Sequence, residues 1–146
     1  MLSSIDKPHF SHEMAVRDYE LDRYGVINNA VYQNYLEHTR HLFLESHGVI
    51  FVDLFECGYS PVITKAELEY RSSLKSRDEF VVNLQLAVLS KVKFVFLQEI
   101  LSLPEKKLII SAKITGTILD SSGRPCFPDS FQELRSFLTH NIKSVQ

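Results

Sequence analysis

The chain has 146 residues, 45% of them hydrophobic and 23% charged, the size and composition of one folded domain. Sixteen Lys and Arg against eighteen Asp and Glu leave a net charge of −2, which removes any bulk attraction to nucleic acid or an anionic membrane. Cys57 and Cys126 lie far apart in the chain; they make neither a disulfide framework nor a zinc site and suit a reducing, cytoplasmic setting. No run approaches the roughly 18 apolar residues of a membrane helix, and residues 1–10 lack the apolar core of a secretory signal. Neither a membrane span nor a leader is expected.

Residues 12–21 alternate through Met14 and Val16 and predict a strand that stops at the turn-like DRYG. Residues 30–47 predict the clearest helix. Val31, Tyr32, Tyr35, Leu36, Leu42, Phe43 and Leu44 recur at helical spacing, with Thr39 in the same stripe. Asn28 or Asn29 supplies an N-cap, and Gly48 stands where the helix should stop. Residues 49–57 predict a short helix ended by Gly58. Strands follow at 59–73, 79–90, 93–103 and 108–119, each rich in β-branched, aromatic or Leu residues. Their connections, LKSRD, SKVK and PEKK, have hairpin length. DSSGRP at 120–125 predicts a turn. Residues 129–138 predict an amphipathic helix through Phe131, Leu134, Phe137 and Leu138, and residues 140–146 a frayed end. This order predicts an α+β fold in a single domain, 1–146: one long helix against a curved antiparallel sheet of about five strands.

Several chemistries find no support. There is no G-x-S-x-G elbow and no Gly-rich phosphate loop. His38 and His41 lie three apart on the helix, but nothing completes a metal set, so they are read as solvated. Cys57 has no base at a recognisable spacing and is read as a buried or half-buried structural thiol. Lys91 and Lys93 are read as turn lysines. No metal and no cofactor are expected.

Asp22 is different. It sits in the strand-to-helix connection, followed by Gly25 and by Asn28-Asn29 opening the helix. A short carboxylate near the unpaired N–H groups of a helix N-terminus suits acyl transfer. The amides polarise a carbonyl oxygen while the carboxylate attacks its carbon or activates water. On spacing alone the commoner outcome is an Asx-turn, with Asp22 bonding its own backbone and Gly25 at positive φ.

The pattern D-x-x-G-V-x-N-N-x-x-Y, leading into a helix with E-x-x-R, resembles the hotdog-fold thioesterases of the 4-hydroxybenzoyl-CoA thioesterase type. The wording VRDYELDRYGVINNAVYQNYLEHTRHLFLE is especially similar to plant and bacterial acyl-ACP thioesterases related to methylketone synthase. The tail ILDSSGRPCFPDSFQEL resembles the family's final strand, turn and closing segment. The resemblance implies a hotdog fold and hydrolysis of fatty acyl-ACP or acyl-CoA without a cofactor. It puts Asp22 in the position of the catalytic carboxylate, as nucleophile or general base. It also makes the Asn29 N–H the donor to the thioester oxygen and Asn28 a residue that orients water or substrate. Gly25, Tyr32 and Tyr35 become candidate substrate-binding residues. Many aryl-CoA relatives carry Tyr or His where this chain has Asn28-Asn29, so the fatty-acyl branch is favoured. An aryl-CoA thioesterase and a non-catalytic acyl-binding hotdog protein are the alternatives.

A second hotdog branch places its acid within the central helix, where Glu37 is the comparable residue. Hotdog dehydratases carry a catalytic His in an HFP-like segment, and Pro8-His9-Phe10 precedes the first expected strand. Family members dimerise through strands such as 59–73, with active sites at the subunit interface. A homodimer or homotetramer is therefore implied.

Overall fold

The computed structural model describes residues 4–138, so the expected fraying of 140–146 lies outside the described residues. The long helix forms at Asn29–Ser46 (α1), within one residue of expectation at each end. Asn28 is its cap: the side-chain oxygen accepts from the Ala30 N–H at 2.9 Å. At the other end Gly48 adopts φ 80°, a conformation that disfavours any side chain. Its N–H reaches the Glu45 carbonyl at 3.0 Å and the Val49 N–H reaches Leu44 at 2.9 Å, closing a Schellman motif. Tyr32, Tyr35, Leu36, Thr39, Phe43 and Leu44 form the buried stripe. Thr39 is tolerated there because its hydroxyl donates to the Tyr35 carbonyl at 2.9 Å. The second helix, Phe51–Glu56 (α2), ends at Gly58 as expected.

The strands are Phe10–Ala15 (β1), Ser60–Tyr70 (β2), Glu79–Val88 (β3), Phe94–Ser102 (β4), Leu108–Leu119 (β5) and Pro125–Cys126 (β6). They form one antiparallel sheet in the order β1-β3-β4-β5-β2, with β6 paired to β5. Its inner face carries Phe80, Val82, Leu84 and Leu86 from β3, Phe96 and Ile100 from β4, and Ile110 and Ile114 from β5. These side chains bury the stripe of α1, and each is less than 5% exposed. A third helix, Asp129–Leu138 (α3), brings Phe131 and Leu134 to the same core, with the Phe131 ring 5.1 Å from Phe94. The side chains of Phe137 and Leu138 lie outside the described ones. Gly116 on β5 is required by a close approach. A Cβ there would sit 2.7 Å from the Val62 carbonyl oxygen and 2.8 Å from the Phe94 ring.

Four expectations need correction. The first strand does not run from 12 to 21 but stops at Ala15. The Glu20 carboxylate accepts from the Arg17 N–H at 2.8 Å while the Glu20 N–H returns to the Arg17 carbonyl at 3.0 Å. That reciprocal pair folds Asp18–Glu20 into a 3-10 turn. Next, the connection containing LKSRD is no hairpin. Residues 71–78 cross from the edge strand β2 to β3 on the far side of the sheet, and β2 pairs only with β5. Third, Cys57 is exposed at the end of α2, a free thiol rather than a core residue. Finally, His41 is not solvated: its half-buried ring packs edge-on against Phe51 at 4.6 Å, and burial lowers its pKa. His38 is exposed as expected, and so are Lys91 and Lys93.

Ahead of β1, His9 ties the first segment to the sheet. Its Nδ1 accepts from the Leu86 N–H at 3.0 Å, which requires that nitrogen to be unprotonated. Burial, reinforced by nearby His47, holds the His9 pKa below its ordinary 6.5. The fold therefore prefers neutral His9. The resulting stability is complete above pH 6.5 and is lost as pH falls through the lowered value. Urea midpoints measured from about pH 7 down to about pH 5 should fall more steeply for the wild type than for His9→Gln.

Candidate active site

The loop between β1 and α1 is a tight turn clamped at its base. Leu21 and Ile27 form an antiparallel bridge, and the Asp22 N–H donates to the Val26 carbonyl at 2.7 Å. Asp22 Oδ1 accepts from the Tyr24 N–H at 2.8 Å and the Val26 N–H at 3.4 Å. Gly25, at φ 77°, donates its N–H to the Asp22 carbonyl at 3.1 Å. The Asx-turn anticipated from spacing is present, but it occupies only one carboxylate oxygen. Oδ2 has no protein partner among the described residues.

The helix N-terminus is equally selective about its donors. The Asn28 side chain takes the Ala30 N–H, and the Val31 N–H donates to the Asn28 carbonyl at 2.9 Å. The Asn29 N–H, which has no intrahelical partner by position, finds no acceptor among the described residues. Asp22, Asn28 and Asn29 together line an open pocket of about 270 Å³. Its opposite wall is Tyr32, Tyr70, Ser72 and Ser73. A carboxylate and a backbone donor on one pocket have the chemistry to act as a nucleophile or base and an oxyanion donor.

The tyrosines divide the labour. Tyr32, 2% exposed, accepts from the Leu74 N–H at 3.0 Å and hydrogen-bonds Ser73. Burial raises its pKa, so the phenol stays neutral. Its ring stands edge-on to Tyr70 at 6.0 Å and forms the pocket wall. Tyr35 does not reach that wall. It packs on Phe80 at 4.7 Å, and its hydroxyl donates to Glu20 at 2.8 Å, bracing the Asp18–Glu20 turn from behind. Burial first, and then the Glu20 charge, push its pKa upward. Gly25 shapes the turn without lining the pocket. Glu37 is exposed farther along α1, beside a separate groove. Sequence reasoning missed Tyr70, Ser72 and Ser73, because only the end of β2 and the crossover that follows it bring them to Asp22. Among the described residues no three His, Cys, Asp or Glu side chains gather as a metal site.

A profile for the thioesterase-like superfamily matches residues 16–134. The chain belongs to that superfamily. Among its relatives, acyl-acyl carrier protein thioesterase ATL3, chloroplastic, from Arabidopsis thaliana is 39% identical over 132 residues, which is 90% of this chain and 68% of the relative. The ATL2 protein of the same plant is 38% identical over 128 residues, covering 88% and 67%. The crystal structure of Slr0204, a 1,4-dihydroxy-2-naphthoyl-CoA thioesterase from Synechocystis, superposes with a TM-score of 0.83 at 18% identity, covering 90% of this chain and 98% of its own. That likeness is one of fold. The hotdog architecture and the thioester-hydrolase class implied by the sequence therefore stand. Among the described residues no helix is long and apolar enough to cross a membrane.

Tyr32→Phe leaves the Leu74 N–H buried without its acceptor and should cost about 1–3 kcal/mol. Tyr70→Phe keeps the ring contact and should cost far less. Urea unfolding of the two variants side by side checks the difference.

Proposed function

We propose that this hotdog thioesterase hydrolyses fatty acyl thioesters carried on acyl carrier protein or coenzyme A, with Asp22 as nucleophile or general base. One observation carries the reading. Asp22, whose turn bonds engage only one carboxylate oxygen, lines the same pocket as Asn29, whose N–H has no acceptor among the described residues. The thioester carbonyl oxygen accepts from Asn29, and negative charge develops there as the carbon is attacked. Asp22 either attacks that carbon itself, giving an acyl-enzyme that water cleaves, or takes a proton from the attacking water. The C–S bond breaks, the sulfur leaves with a proton, and the free acid remains. Asn28 has its oxygen committed to capping, so its amide NH₂ is the group left to orient water or substrate. Tyr32 and Tyr70 wall the site, and Tyr35 positions the loop. No step calls for a metal or cofactor.

The same reading extends to assembly and location. Strand β2 is an edge whose outer backbone groups lack a partner strand among the described residues, and Ile63 and Tyr70 on it are exposed. Pairing with a second copy covers such an edge, in a homodimer or a pair of dimers. The free thiols Cys57 and Cys126 suit a reducing, cytoplasmic setting. Residues 1–146 are read as a single thioesterase domain.

Asp22→Asn is a clean test because asparagine retains the Oδ1 acceptor that the turn needs. Free-thiol release from an acyl-ACP should drop by about two orders of magnitude or more, with melting temperature and oligomeric size unchanged. Glu37→Gln should stay near the wild type. Near-normal turnover by Asp22→Asn, or a larger loss at Glu37, rejects the assignment.

Chain length supplies a second test. Each buried methylene contributes about 0.8 kcal/mol, so kcat/KM should climb with straight-chain length until the available groove is full. Hydroxybenzoyl- and dihydroxynaphthoyl-CoA should be poorer substrates. A clear preference for either aryl thioester over every fatty acyl chain moves the enzyme to the aryl-CoA branch.

A further inference from the structure

A second pocket, of about 140 Å³, lies between the later turns of α1, α2, the start of β2 and α3. Its interior is apolar, with Leu44, Leu54, Phe96 and Phe131 on the walls, and its polar lining is Glu37, Arg40 and His41. Arg40 is the informative member. Its partly buried guanidinium donates to Gln98 Oε1 at 3.0 Å. Gln98 is 1% exposed and is itself fixed, because its amide nitrogen donates to the Leu36 carbonyl at 2.9 Å.

A glutamine orients a guanidinium but does not neutralise it. Glu37, one turn earlier on α1, is exposed, and Arg40 forms no ion pair among the described residues. Cations withdrawn from water are ordinarily matched by an anion, because a charge buried alone loses its hydration without compensation. Burial accordingly pulls the Arg40 pKa below its ordinary value, with Glu37 opposing. A pre-positioned cation beside an apolar hollow is the recognition pattern for an anionic amphiphile.

We propose that this pocket binds the carboxylate form of a short fatty acid, its head on Arg40 and its chain among Leu44, Leu54 and Phe131. Size sets the chain. An apolar cavity of about 150 Å³ lined by Leu, Ile and Phe holds a six-carbon ring, so a chain of about six carbons matches the space. His41 borders the same space with its ring on Phe51, and Glu37 lines it as an opposing charge. The site needs no turnover at Asp22 and stands apart from the hydrolytic reading.

The test is a titration of the intact protein, labelled at leucine methyls, with hexanoate and with uncharged hexanamide. Hexanoate should saturate with shifts at Leu44 and Leu54, and hexanamide should need at least about tenfold more ligand. Arg40→Gln should bring hexanoate down to the level of hexanamide, while Arg40→Lys keeps a preference for the acid. Leu54→Phe, which enlarges an apolar wall residue and leaves Arg40 unchanged, should abolish binding of both and covers the case in which Arg40→Gln does not fold. Equal binding of acid and amide overturns the proposal, because the pocket then reads only apolar surface. So does an absence of shifts at Leu44 and Leu54, or a retained acid preference in folded Arg40→Gln. Thioester hydrolysis is assayed separately, so a failure of either reading leaves the other identifiable.

Discussion

The hydrogen bond from the Leu74 N–H to the Tyr32 hydroxyl is the joint on which the rest of the structure turns. It fastens the 71–78 crossover to the first turns of α1, at a point where both partners are buried. From that contact the crossover can run on to β3, and Lys75 can bridge to Val26 beside the Asp22 turn. The Asp22 turn and the start of α1, adjacent in sequence, thus share one small polar junction with a crossover more than forty residues away. The pocket walls follow from it: Tyr70 at the end of β2, and Ser72 and Ser73 on the crossover, line the same pocket as Asp22 and Asn29.

A second restraint acts from the opposite side of the loop. Glu20 receives the Tyr35 hydroxyl and the Arg17 N–H, so the turn before Asp22 is bonded both to the helix and to itself. Two tyrosines one turn apart on α1 therefore hold the two ends of the site. Neither needs to touch a substrate's reacting atoms to matter. Catalytic geometry tolerates little looseness, and buried phenols tied to backbone or carboxylate are stiff supports.

Much of this was legible in the sequence because it depends on local chemistry. The helix announces itself through the Tyr32–Leu44 stripe, the Asn28 cap and the Gly48 stop, and β5 falls at its expected bounds. Asp22 was singled out by its place before a helix N-terminus, which is again a local fact. Non-local decisions were hidden. Nothing in LKSRD distinguishes a hairpin from a crossover, because the difference lies in which strand β2 pairs with, and β5 is far along the chain. The residues of the second pocket wall were invisible for the same reason. Arg17 and Glu20 show how a side-chain bond overrides a strand-like alternation that would otherwise have run on to Leu21. Tyr35 looked like a pocket residue because it shares a helix stripe with Tyr32. One helical turn, however, is enough to exchange a pocket for the core.

The crossover has a consequence for how the molecule comes into being. Strand β2 is made early, yet its sole neighbour in the sheet among the described residues is β5, and Ser60 pairs with Leu119. During synthesis β2 must wait, without a ladder on either side, until the chain beyond it has emerged and β3–β5 have assembled. Contacts of such long sequence separation slow folding and lengthen the life of aggregation-prone intermediates. The charged residues Lys65, Glu67 and Glu69 on the outward face of β2 are well placed to keep that waiting strand from meeting the wrong partner.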